Sequence, residues 1–170
     1  MVTDELIEFH SNSDKIRGSI INFTIALERA MDNYIANYFQ TTKEKKKELL
    51  ELLICDRMDF SQKAKALVDI LRKKCKKEGT NFNAEYPSIS TNLEKIGRNR
   101  NKFAHNMSVP IPNSIDMKLH PVILIKFESK AGVIRYNANE IVEIMDLIQK
   151  YSHLIDVLNG DKPKSANPSS

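Results

Sequence analysis

Tryptophan is absent from this 170-residue sequence, glycine occurs 5 times and cysteine twice. So few glycines, beside many Lys, Glu, Leu and Ile, disfavour a turn-rich sandwich and favour helices. Cys55 and Cys75 show no metal-ligand spacing. No carboxylate or histidine cluster suggests a metal site, so neither metal nor cofactor is expected. Gly-rich phosphate loops, nucleophile elbows and H-E-x-x-H are also missing. No apolar run is long enough to span a bilayer. The start, Met1-Val2-Thr3-Asp4-Glu5, is acidic, unlike a signal peptide. Two thiols without an export signal point to a reducing cytosol, so a cytoplasmic protein without membrane contact is expected.

What is present suits a single folded domain over residues 1–160. Hydrophobic residues make up 41% and charged residues 28%. The net charge is +4 and the pI is near 9.0, which permits contact with nucleic acid without requiring it. Much of the excess lies in Lys43-Glu44-Lys45-Lys46-Lys47 and in Lys73-Lys74-Cys75-Lys76-Lys77, which read first as solvated helix faces. Residues 161–170, rich in Pro, Ser, Lys and Asn, are expected to be a disordered tail.

Periodicity predicts a mainly α fold of about five helices, with a β-hairpin before the last. Ile16, Ile20, Phe23, Leu27, Met31, Tyr34 and Tyr38 form the stripe of a long first helix, capped by Ser13 or Asp14. Thr41 and Glu44 have capping-box spacing for a second helix. Asp59 opens a third, with Phe60, Ala64, Leu67, Leu71 and Cys75 on one face and Gly79 at its end. Residues 80–87 read as a loop. The fourth helix starts near residues 88–91, with Thr91 and Glu94 as its capping pair, and stops before Pro110. Residues 109–119 read as an irregular connection. Residues 121–127 and 133–136 are short and β-branched, which predicts the hairpin. Asn137 and Glu140 cap the final helix, and Gly160 ends it.

The fourth helix carries the informative anomaly. Its apolar stripe is Ile89, Leu93, Ile96, Phe103 and Met107, and Arg100 occupies the intervening core-facing position. A guanidinium there is costly unless it is paired or lines a cleft. Asn101 and His105 are four apart and share a face, while Arg98 and His105 are seven apart and nearly align. Arg100 and His105 are about 140° apart, a gap that a long Arg side chain can bridge. Glu28 on the first helix is a candidate partner for either.

Arg100-Asn101-Lys102-Phe103-Ala104-His105 resembles the R-N-x-x-x-H signature of the HEPN superfamily, whose members are small helical bundles with the signature in a late helix. The resemblance spans most of residues 13–158. It implies a metal-independent endoribonuclease acting on RNA as a homodimer, with the active site shared between two signature helices. It also implies the kind of toxin or phage-defence effector that has an antitoxin or other regulatory partner. In that reading Arg100 and His105 are catalytic. Arg98, Asn101, Lys102 and Glu28 support them or bind substrate. His105 suits acid–base work near neutral pH, and Arg100 suits a phosphate. The rival readings are a non-catalytic interaction or nucleotide-binding module, and a regulator that binds nucleic acid through its lysines.

Overall fold

The computed structural model describes residues 4–39, 42–108, 119–125 and 132–160. Among these the chain is mainly α-helical, with a small antiparallel sheet before the last helix. The helices are α1 (Asp4–Phe39), α2 (Lys43–Leu49), α3 (Cys55–Arg57), α4 (Phe60–Glu78), α5 (Phe82–Glu85), α6 (Ile89–His105) and α7 (Ala138–Leu158). A π-helical turn, Leu50–Ile54, joins α2 to α3. The strands are β1 (Met107–Ser108), β2 (Val122–Ile125) and β3 (Val133–Tyr136), in the order β1-β2-β3.

The chain forms two compact units, one of Met1–Ile25 with Lys95–Ile148 and one of Ala26–Glu94 with Gln149–Ser170. In the first, Phe9, Ile20, Ile96, Phe103, Leu124, Tyr136 and Ile144 are buried. Val122 pairs with Tyr136 and Ile125 with Val133, which gives the expected hairpin. The Phe103 ring stacks on Tyr136, with centroids 4.7 Å apart. In the second unit Ile35, Ala36, Ile54 and Ile70 form a buried cluster with Tyr34, Leu49 and Met58 packed against it. Each buried isoleucine of this cluster contributes on the order of 1.5–3 kcal/mol through burial.

Several expected caps are present. Asp59 and Gln62 form a reciprocal capping box on α4, and Gly79 closes that helix at φ 72°, a conformation glycine reaches without steric cost. Asn137 and Glu140 exchange hydrogen bonds of 2.8 and 2.9 Å at the start of α7. Other boundaries differ. Helix α1 begins at Asp4, so Ser13 and Asp14 lie inside it. Its buried side runs through Ser13 and Thr24, while Phe23 and Tyr38 are exposed. Thr24 is buried because its hydroxyl donates to the Ile20 carbonyl at 2.8 Å. Thr42, not Thr41, caps α2. The loop over 80–87 contains α5, which Asn81 caps. Helix α6 starts at Ile89, within the expected 88–91, but Thr91 lies inside it rather than capping it, and Asn92 N–H donates to the Ser88 carbonyl.

Helix α6 also stops earlier than its apolar pattern implies. It ends at His105, and Met107, expected to extend the stripe, is half-exposed on β1 and pairs with Ile125. This third strand was invisible as a two-residue segment. Residues 109–118 of the expected connection, 126–127 of the expected strand and the tail at 161–170 lie outside the described residues.

Candidate functional site

The signature segment occupies the last two turns of α6, in the first unit. At 100° per residue, Arg98, Asn101, Lys102 and His105 fall within an arc of about 100°. All four are exposed. The opposite side of the helix carries Ile96 and Phe103, both buried, so the exposed arc is polar because its reverse is core.

Arg100 projects from the core-facing side, as its position in the stripe requires, yet it is only half-buried. The fully core-like position is its neighbour Asn99, which is 7% exposed. Sequence reasoning gave Asn99 no role, because an amide has no hydrophobic signal to mark its burial. The Arg100 stem runs inside, with Nε buried and without a hydrogen-bond partner among the described residues. Its guanidinium emerges to donate from Nη1 to Asn101 Oδ1 at 3.2 Å. Long side chains commonly bury an aliphatic stem and turn the charge outward. The result brings Arg100 toward the face that holds Asn101 and, one turn later, His105. The imidazole makes no hydrogen bond or ion pair with a described residue and is open to solvent.

Glu28 has a different partner from the two proposed. It lies in the second unit, where Lys63 Nζ donates to its Oε1 at 2.7 Å. The same ammonium stands 3.0 Å from Asp32 Oδ1 and donates to Oδ2 at 3.2 Å. Lys63 is 3% exposed. Burial opposes its charge, but the hydrogen bonds it donates to Glu28 and Asp32 outweigh that cost and raise its pKa. Burial also raises the pKa of Asp32, and Lys63 offsets this only in part. One ammonium serves two carboxylates, so the anion that is deeper inside is less well compensated.

The residue that sequence reasoning missed in the first unit is Arg17. Its guanidinium donates to the main chain at the end of α6, from Nη2 to the carbonyls of Phe103 and Asn106 at 3.0 and 2.9 Å. Only the pairing of α1 with α6 reveals it, since the contacts join residues 86 and 89 apart. The second unit also holds an apolar groove of about 370 Å³, lined in part by Tyr86, Pro87, Tyr151 and Leu154, and none of the expected site residues lines it. Among the described residues no group of three or more His, Cys, Asp or Glu is placed to hold a metal ion. No described helix is long and apolar enough to cross a membrane. Comparison with family models, curated proteins and solved structures gives no match to this chain.

Proposed function

We propose that this chain is a metal-independent endoribonuclease of HEPN type that acts as a homodimer, in the manner of a toxin or phage-defence effector. The observation that carries the reading is the outward turn of Arg100 onto Asn101, which puts a permanent cation beside the face of His105. A structural arginine on a core stripe has reason to bury its charge against a carboxylate. This one delivers it to a solvent-facing amide.

RNA supplies its own nucleophile. The 2′-oxygen attacks phosphorus and loses its proton to a neutral imidazole. The bond from phosphorus to the 5′-oxygen breaks, and a protonated imidazole gives that oxygen a proton. A 2′,3′-cyclic phosphate and a 5′-hydroxyl result. One His105 per chain serves one transfer, so two chains related by a two-fold axis provide both. The Arg100 fork binds the non-bridging oxygens, whose negative charge grows in the transition state. Arg98 and Lys102 lie on the same arc as His105 and suit flanking phosphates, with Asn101 orienting Arg100.

The test is RNA cleavage in EDTA by the parent, His105→Ala and Arg100→Ala, with folding checked by circular dichroism. The expected outcome is cyclic-phosphate product from the parent and a loss of roughly 10²–10⁴-fold in either variant. A parent that leaves diverse RNAs intact sinks this reading and favours a non-catalytic module.

A further inference from the structure

Arg17 meets the C-terminal end of α6 with three hydrogen bonds. Nε and Nη2 donate to the Phe103 carbonyl at 3.3 and 3.0 Å, and Nη2 donates to the Asn106 carbonyl at 2.9 Å. Nη1 is tethered to Asp14 Oδ1 at 3.5 Å. The last carbonyls of a helix have no partners within it, and partial negative charge collects there. A planar guanidinium can satisfy two of them at once, which a single ammonium does less well. One turn earlier on α1, Ser13 is fully buried and its Oγ lies 2.7 Å from Ser108 Oγ. Ser13 and Arg17 are four residues apart and share a face. Together they hold the chain at 103, 106 and 108.

His105 lies between the first two of these points. No described residue bonds its ring, so its direction is set by the backbone that carries it. We infer that Arg17 is a positioning residue for His105: by clamping the carbonyls on either side, it fixes where the imidazole points at the C-terminal end of α6. The inference rests on the reading of His105 as the proton-transfer group. Placement errors near 1 Å can cost about 100-fold in rate, so a clamp of this kind has a kinetic signature.

The experiment compares the parent, Arg17→Lys and Arg17→Ala in the full chain. It measures RNA cleavage in EDTA across pH and amide hydrogen exchange by residue. In folded Arg17→Ala, kcat is expected to fall roughly 10- to 100-fold with KM within about two-fold. The pH dependence that His105→Ala abolishes should weaken with it. Exchange should accelerate at residues 105–107 while the core amides stay protected. Arg17→Lys should recover part of the rate by holding one carbonyl. Unchanged kcat and unchanged exchange at 105–107 overturn the inference. So does a loss of activity matched by faster exchange throughout the protein, which marks a merely structural role. If the parent cuts no RNA, the ribonuclease reading fails separately. The exchange measurement then decides alone, with acceleration confined to 105–107 upholding the clamp and no change overturning it.

Discussion

The two units treat charge in opposite ways. In the second, Lys63, Asp32 and Glu28 draw together, with the ammonium almost fully enclosed and bonded to both carboxylates. In the first, Arg98, Lys102 and His105 lie exposed along one arc of α6, and Arg100 sends its guanidinium out to join them. Charges buried with partners organise a core, whereas the polar arc of α6 faces solvent. The titratable residues of the buried cluster therefore bear on folding, and those of the exposed arc are the ones the proposed ribonuclease reading uses. Buried pairs are also little screened by salt.

The sharpest way to break this contrast is Lys63→Met. Removing the ammonium strands two carboxylates in a poorly solvated place, and the expected loss is about 3–5 kcal/mol in chemical denaturation. Cleavage per folded molecule should not change. If Lys63→Met is as stable as the parent but inactive, the assignment of roles to the two units is wrong.

Tyr136 tests the first unit from its core. Its hydroxyl is buried without a hydrogen-bond partner among the described residues, and burial, with a smaller contribution from Glu140, pushes its pKa up from 10.0 to about 12. Between those values the folded protein keeps a proton that the unfolded chain releases, so stability falls as pH rises from 10 to about 12. Lys63 acts in the same direction. Its raised pKa stabilises the fold fully below 10.5, and this contribution disappears as pH climbs through the folded value. Thermal melts should therefore show a steep alkaline decline. Tyr136→Phe should remove the Tyr136 part, on the order of 2 kcal/mol across that window, and be neutral or mildly stabilising at pH 7. An unchanged alkaline limb would count against a buried, protonated Tyr136.

A smaller effect is expected for Glu28→Gln. The amide keeps an acceptor for Lys63 but loses the charge, and Asp32 then has the ammonium more to itself. Denaturation midpoints should report a loss of about 1 kcal/mol, well short of Lys63→Met. A loss as large as that of Lys63→Met would show that Glu28, not Asp32, dominates the cluster.

Much of the molecule was legible as a sequence because local rules leave local marks. The caps at Asp59 and Asn137, the left-handed closures at Gly79 and Gly160, and the buried face of α4 all follow from residue spacing along one element. The hairpin of β2 and β3 was equally visible as two β-branched runs around a turn. The polar arc from Arg98 to His105 could be drawn from helical geometry alone, and so could the anomaly of Arg100. Less could be read where a polar residue takes a core position, because hydropathy marks Ser13, Thr24, Lys63 and Asn99 as surface. Tertiary structure brought a hydroxyl to Ser13 and two carboxylates to Lys63, whereas Thr24 bonds the Ile20 carbonyl of its own helix.

The chain alone determined where the long helices α1, α4, α6 and α7 lie, how α4 and α7 end, and which turn of α6 carries the cations. Partner choice was decided only by the tertiary structure. It gave Glu28 to Lys63 across 35 residues, Arg17 to the end of α6 across 86 and 89, and Ser13 to Ser108 across 95. Spacing along one helix is set by a fixed rotation per residue, but a contact between distant segments depends on how whole faces pack, and no short window of sequence contains that information.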